Sequence, residues 1–479
     1  MTRQLVVGVD SSTQSTKVEA RNVATGEVVA TGTAKHPPTA PPVSEQDPRA
    51  WWAALVDAVV QLGDHRADVV AISVAGQQHG LVLLDAAGVP LRPAKLWNDT
   101  TSAPQADRLV AELGADRWAQ RTGSMPVASF TITKLAWVAE HEPDVLAHAA
   151  TVMLPHDYLT WRLTGQHVTD RGDASGSGWF DPSSGTVVPE LLAAAADGWN
   201  GDVPRVLSPA EAAGTLTATA AAELGLPDSV VVGPGTGDNM GAALGLGLLA
   251  GDVAISLGTS GTVFAVSDTA THDATGAVAG FASASGNFLP LVCTLNATKV
   301  TDTVARWLGT DAPGLADLAL AAVDDPGLVT LVPYFDGERT PNLPDATGTF
   351  AGLTNTTTRE QLALAAHDGV LCGLLGGVDA LRAVGATVDG RVFLIGGGSR
   401  SAAYRQRAAD LLGHRVVVPA TDETVATGAA LQAAVVYEQG DFGAVAERWR
   451  LGSGDRIEPR HDASSIRTRY RDAAEHSAR

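Results

Sequence analysis

The chain opens with an unbroken apolar run, Leu5-Val6-Val7-Gly8-Val9, that stops on Asp10. A short run without alternation predicts a strand covered on both faces. The polar stretch 11–16 follows, and then Lys17-Val18-Glu19-Ala20-Arg21 alternates, as a half-buried strand does. Ala24-Thr25-Gly26-Glu27 signals a hairpin into a strand at 28–31. A Pro-rich stretch at 37–48 crosses to a helix containing Trp51-Trp52-Ala53-Ala54-Leu55, and 69–75 reads as another strand. Strand, hairpin, strand, helix, strand predicts α/β layers. The spacing then predicts helices at 131–140 and 157–163, with a loop at 170–178.

The opening pattern recurs at Val253-Ala254-Ile255-Ser256-Leu257, followed by the turn Gly258-Thr259-Ser260-Gly261 and the strand Thr262-Val263-Phe264-Ala265-Val266. Two such units read either as a duplicated domain, divided near 245–251, or as the strand–turn–strand that any α/β chain offers twice. Further strands are expected at 328–333, 392–395 and 415–419, and helices at 362–384, 402–412 and 425–437. The charged tail after Arg448 shows little periodicity and reads as a surface cap.

With 479 residues there is chain for two or three domains. A net charge of −20 argues against general binding to nucleic acid or an anionic membrane, while leaving a local nucleotide pocket open. Two cysteines far apart in sequence, Cys293 and Cys372, predict neither a disulfide framework nor a thiolate metal site. Met1-Thr2-Arg3-Gln4 runs straight into a strand and predicts no signal peptide, so the expected compartment is the cytoplasm.

Several places carry candidate chemistry. Asp10 ends a buried strand beside hydroxyls, which suits a carboxylate holding Mg²⁺ near phosphates, or one that merely caps the turn. Asp238, after the flexible lead Gly235-Thr236-Gly237, suits a base that accepts a hydroxyl proton, or a turn-forming aspartate. The turn at 258–261 offers closely spaced backbone N–H groups to a phosphate. Gly396-Gly397-Gly398-Ser399 enters a helix from a strand, either as a nucleotide platform or as a plain turn. Gln78, His79, Trp97, Asn98 and Asp99 sit on loops after strands, as hydroxyl-recognising groups would, though a histidine such as His79 taken alone is more often structural. One base, one metal carboxylate and donor-rich turns match phosphoryl transfer to an alcohol better than a nucleophile–histidine site.

From about 5 to 437 the chain resembles the FGGY carbohydrate kinases, and within them the xylulokinases. The resemblance rests on the 10–17 turn, Gly76-Gln77-Gln78-His79-Gly80, Leu96-Trp97-Asn98-Asp99, the segment 129–141 with Lys134 and Trp137, and Met153-Leu154-Pro155-His156-Asp157-Tyr158-Leu159. Gly237-Asp238-Asn239, the 257–261 turn, Gly337-Glu338-Arg339-Thr340-Pro341 and 396–399 complete it. It implies two ribonuclease-H-like (actin/hexokinase-type ATPase) α/β domains around an interdomain cleft: 1–246 for the sugar and the metal–phosphate turn, 247–445 for the nucleotide, and a tail at 446–479. The implied reaction is ATP-dependent phosphorylation of D-xylulose to D-xylulose 5-phosphate. By that likeness Asp238 is the proton acceptor and Asp10 serves Mg²⁺. Gln78, His79, Trp97, Asn98 and Asp99 would face the sugar, and Ser12, Thr13, Lys17, Gly258, Thr259, Ser260, Gly397, Gly398 and Ser399 would lie along ATP. Closure about a hinge near 245–251 would exclude water. A homodimer is compatible with the chain, and neither nucleic acid nor membrane is expected as a partner.

Two positions depart from the family pattern. Gln78 stands where xylulokinases usually carry methionine, which keeps another ketose or a polyol open as substrate. Ala365-Ala366-His367-Asp368-Gly369 replaces an Arg-Ala…Glu-Gly pattern, which touches packing more than chemistry. The rival class is a non-catalytic sugar-responsive regulator or an actin/Hsp70-like ATPase module. The first would carry an added DNA-binding segment and the second a β-rich peptide-binding domain, and the pattern predicts neither.

Overall fold

A computed structural model of the chain describes residues 4–421 and 423–477. They form two compact units, one holding 4–248, 270–289 and 423–451, the other 249–269, 290–421 and 452–477.

The first unit is built on a sheet whose strands run in the order Val28–Lys35, Ser15–Asn22, Leu5–Ser11, Val69–Gly76, Val231–Val232, Gly214–Thr215. The first three pair antiparallel, as the hairpin signals predict, and Val69–Gly76 and Val231–Val232 then add in parallel. Leu5–Ser11 is buried along its whole length, because both sheet faces are covered. Trp51, Leu55 and Leu62 join Val7, Ile72 and Val74 in its core. The helix Pro48–Val60 starts where Asp47 accepts a hydrogen bond from the Arg49 N–H and Pro48 occupies the first turn.

The helix Thr424–Glu438, late in sequence, packs on Leu5–Ser11, Val69–Gly76 and the helix Asp238–Gly245. The compact units are therefore interleaved along the chain and do not coincide with the contiguous segments 1–246 and 247–445. Small residues permit this packing. A Cβ on Gly428 would fall 1.8 Å from the Gly241 carbonyl oxygen, and one on Gly245 would fall 1.9 Å from that of Thr424.

The second unit repeats the strand order: residues 290–294 of the strand Phe288–Thr294, then Gly261–Ala265, Val253–Leu257, Val392–Ile395, Val416–Pro419, with Gly454–Ile457 added at the edge. Its antiparallel and parallel pairings follow the same sequence. The long helix Arg359–Ala383 begins in a Thr358/Gln361 capping box. It is long and apolar enough to cross a membrane, but 78% of its most apolar window is buried inside the protein. Within it, Asp368 takes two hydrogen bonds from Arg407, which also pairs with Asp410, so a buried cation is matched by two carboxylates.

Two expectations change. The loop expected at 170–178 is instead the end of the strand Val168–Asp170 and the short helix Arg171–Ala174, with 172–178 all buried; its glycines and serines are small enough to be enclosed. The tail does more than cap the surface. Gly454–Ile457 pairs with Val416–Pro419, and the helix Ser464–Ser477 buries Ile466 and Tyr470 four residues apart.

Gly428→Ala sets helix propensity against this close packing. The substitution gains about 1 kcal/mol of propensity, but overpacking against backbone costs about 1–3 kcal/mol or more. A lower melting temperature is expected; an unchanged or raised one would show that the two helices can part freely.

Candidate active site

Three parallel strands of the first unit stop at one level. Ser11 pairs with Gly76 and Gly76 with Gly237, while Asp10 and Thr236 both pair with Ala75. Neighbouring strands lie about 4.8 Å apart, so Ser12, Gln77 and Asp238 emerge side by side over roughly 10 Å. In α/β sheets, the carboxyl ends of parallel strands are where ligands bind.

Asp10 is buried, and its Oδ1 accepts from the Ser12 hydroxyl at 2.5 Å. Burial raises its pKa to about 6, against the lowering effects of Ser12 and Lys17 and with a smaller push from Glu423. Asp238 begins the helix Asp238–Gly245 and accepts from the backbone N–H and side-chain amide of Asn239, at 2.8 and 3.1 Å. Burial, then the charges of Asp10 and Asp173, push it up to about 7. The helix N-terminus and the Asn239 donor favour the ionised form but do not outweigh them. A carboxylate poised near neutrality is suited to accepting a proton.

The other expected residues of this unit divide into two groups. Gln78 is buried and presented to the site: its carbonyl accepts from Asn239 at 2.8 Å, while its amide nitrogen has no hydrogen-bond partner among the described residues. His79 has φ 66°, a rare conformation for a side-chain-bearing residue and typical of strain held at a site. Its Nδ1 lies 2.9 Å from the Gly176 carbonyl, and its ring stacks on Phe130 and leans on Phe281, with centroids at 4.9 and 5.6 Å. Trp97 is 46% exposed and donates to Thr13 Oγ1, which in turn donates to Gln77. Asn98 Oδ1 is buried without a partner among the described residues.

Two of the expected contacts are already committed elsewhere. Asp99 is fully buried and receives the backbone N–H groups of Ser44 and Thr101, the Thr101 hydroxyl and the Lys95 ammonium, so it anchors its loop. Lys17 forms an ion pair at 2.8 Å with Glu423, which holds its ammonium away from an isolated phosphate role.

In the second unit, Val253–Leu257 and Val392–Ile395 also end together, Ser256 pairing with Ile395. Their two turns touch. A Cβ on Gly398 would lie 2.7 Å from that of Leu257, and one on Gly396 would lie 2.8 Å from the Leu257 carbonyl oxygen. Thr259, Ser260 and Gly397 are exposed. The Gly258 N–H closes onto the Ser260 carbonyl, and the Gly258 carbonyl accepts from the backbone N–H and hydroxyl of Thr298. The Ser399 hydroxyl is turned back to the Gly396 carbonyl.

Sequence reasoning did not single out Asn239, Phe130 or Phe281 as site residues, nor the buried group His156, Asp157, Asp170 and Asp173. Asn239 directly follows Asp238, and that adjacency was the available signal. The group of four joins residues up to 17 apart, and no local spacing announces it.

Among the described residues no cluster of three or more His, Cys, Asp or Glu forms a cage for a metal. Mg²⁺ in phosphoryl transfer is held by one or two carboxylates together with substrate phosphates. A buried, partly satisfied Asp10 fits that donor set.

Two sheets of one strand order, each presenting turns at the carboxyl ends of its parallel strands, define an actin/hexokinase-like ATPase fold. The chain belongs to the FGGY family of carbohydrate kinases: the N-terminal domain of that family matches 5–245 and the C-terminal domain matches 253–437. It is thus a phosphotransferase. It is 50% identical over 462 residues to a xylulose kinase of Streptomyces rubiginosus, covering 95% of this chain and 92% of that one. The crystal structure of xylulose kinase from Bifidobacterium adolescentis superposes with a TM-score of 0.89 at 42% identity, covering 98% and 99% of the two chains. That from Rhodospirillum rubrum gives 0.91 at 29%, covering 99% and 98%.

The raised pKa of Asp238 has a consequence for stability. The unfolded chain gives up this proton near pH 4 and the folded chain near 7, so stability falls as pH rises between the two and the penalty is complete above 7. Asp238→Asn removes the penalty. It is expected to stabilise the protein at pH 8 by on the order of 1–3 kcal/mol, with a smaller gain at pH 5. Thermal melts at both pH values check this, and an equal shift at both would remove the assigned cause.

Proposed function

We propose that the chain transfers the γ-phosphoryl group of ATP to the terminal hydroxyl of D-xylulose, giving D-xylulose 5-phosphate and ADP. The observation that carries this reading is the row of strand ends that sets Asp238, with its pKa pushed up to about 7, beside Gln78 and within electrostatic reach of Asp10. The xylulose kinase relatives, at up to 50% identity over nearly the whole chain, support the choice of sugar.

Asp238 accepts the proton of the hydroxyl as its oxygen attacks phosphorus, and the Asn239 amide holds the carboxylate in place. Gln78 directs its amide donor at a sugar oxygen, and His79, backed by Phe130, offers a flat wall with a polar edge. We assign Trp97 and Asn98 to the rim of the sugar pocket and Asp99 to holding that rim. Ser12, Thr13 and Lys17 border the phosphates, with the Lys17 charge offset by its pair with Glu423. Gly258, Thr259, Ser260, Gly397, Gly398 and Ser399 form the surface assigned to the nucleotide. Asp10 would hold Mg²⁺, which when bound neutralises phosphate charge. We place the reaction in the cytoplasm, whose reducing conditions suit two unpaired thiols.

Coupled ADP release across D-xylulose, L-xylulose, D-ribulose, L-ribulose, glycerol and D-arabitol tests the substrate. D-Xylulose is expected to give the highest kcat/KM; a polyol in first place would move the assignment to the other branch that Gln78 allows. Asp238→Ala should keep ATP binding and lose about 10²–10⁴-fold in kcat. With wild-type enzyme, kcat/KM should rise with pH through about 7 as Asp238 ionises. Turnover by the alanine variant near the wild-type rate would rule Asp238 out as the base.

A further inference from the structure

His156 is wholly buried at the start of the helix Pro155–Thr164 and faces three carboxylates. Its Nδ1 lies 2.9 Å from Asp173 Oδ2, and its Nε2 lies 3.1 Å from Asp157 Oδ1 and 3.7 Å from Asp170 Oδ1. All three carboxylates are themselves buried. Burial disfavours a charged imidazole, but Asp157, Asp173 and Asp170 outweigh it and push its pKa up to about 9. Burial likewise pushes Asp157 up to about 7.

The ring is wedged between two arms of the site. A Cβ on Gly76 would come 3.1 Å from that of His156, and one on Gly235 would come 2.4 Å from His156 Cδ2. Gly76 leads directly into Gln77, Gln78 and His79, and Gly235 leads into Asp238. The carboxylates carry the connection further. Asp170 accepts from the Thr236 hydroxyl at 2.8 Å and from the N–H groups of Gly172 and Asp173. The turn they close continues to Gly176, whose carbonyl meets His79. A Cβ on that glycine would fall 2.4 Å from the His79 ring. Asp173 Oδ1 is buried and has no hydrogen-bond partner among the described residues.

We propose that His156 is a positioning residue of this site: a buried cation that draws Asp157, Asp170 and Asp173 together and so fixes the backbone carrying His79 and Asp238. The assignment rests on the kinase reading above. It makes His156 act through its neighbours, without touching sugar or nucleotide. A neutral side chain there leaves three buried carboxylates without a counter-charge, and they must take up protons or separate. Either change moves the Thr236 and Gly176 ties, and so the sugar side of the site. The ATP-facing turns of the second unit are not part of this network.

The test compares His156→Gln, which keeps comparable bulk without the charge, with His156→Lys, which keeps a cation. For His156→Gln, kcat/KM for the ketose should fall about tenfold or more, since small misplacements of reacting groups cost that much, while KM for ATP stays within about twofold. His156→Lys should recover most of the loss. Wild-type ketose constants in the folded glutamine variant, or an equal loss toward ATP and ketose, would overturn the proposal. If the glutamine variant does not fold, Thr236→Val cuts only the Asp170 tie; it should raise the ketose KM about threefold or more, and an unchanged KM overturns it. A wild-type chain that phosphorylates none of the sugars would sink the kinase reading alone. The positioning claim would then be decided by crystal structures of His156→Gln, where His79 and Asp238 staying within about 0.5 Å of their places overturns it.

Discussion

The site depends on register. Because Leu5–Ser11, Val69–Gly76 and Thr236–Gly237 run parallel and stop together, three successive loops leave the sheet side by side. A slip of one residue in any of them would turn its functional side chain toward the opposite face. The register is held by burial on both faces of the central strand and by the helix Thr424–Glu438 lying on it. Asp10 and Asp238 are thereby fixed by the sheet itself, and the electrostatic cost of bringing them together is met by its packing.

That packing needs absent side chains as much as present ones. Gly428 against Gly241 lets two helices meet backbone to backbone, and one of those helices begins with Asp238. Gly237 leaves the space that Gln78 occupies, since a Cβ there would lie 2.7 Å from Gln78 Cγ. The segment 170–178 works in the same way: glycine, alanine and serine make it thin enough to be enclosed, and its carboxylates then face inward. Small residues around an aspartate can thus mean a buried charge as readily as a solvated loop.

What could be read along the chain follows from this. Leu5 to Val9 ending on Asp10 was legible because a strand covered on both faces leaves a continuous apolar run, and a charge at its end marks the edge of the sheet. Asp238 was legible through its glycine lead-in, and the second unit through repetition of the first. Lys17 with Glu423 was not, because the partners stand 406 residues apart and meet only after the late helix returns to the first sheet. Asp99 read as a hydroxyl-recognising group from its place on a loop, yet Ser44, Lys95 and Thr101 use its acceptor positions. Loop position alone does not say whether a carboxylate points to solvent or back into the fold. Nothing in the local sequence marks His156 as the partner of three carboxylates; the fold buries it among them.

The electrostatics of the first unit then follow from one imbalance. Asp10, Asp157, Asp170, Asp173 and Asp238 gather around the strand ends, and Lys17, half-exposed, is already paired with Glu423. His156 lies within 3.7 Å of three of them. Burial raises the proton affinity of Asp238 most, the charges of Asp10 and Asp173 add to it, and among the described residues Asn239 and the helix terminus offset part of the rise. A carboxylate of low pKa accepts a hydroxyl proton poorly, and one of high pKa remains protonated at neutral pH. Burial of Asp238 with the carboxylates of Asp10 and Asp173 nearby moves its pKa up to about 7. The same burial and crowding destabilise the fold at high pH, which is the counterpart of the raised Asp238 pKa.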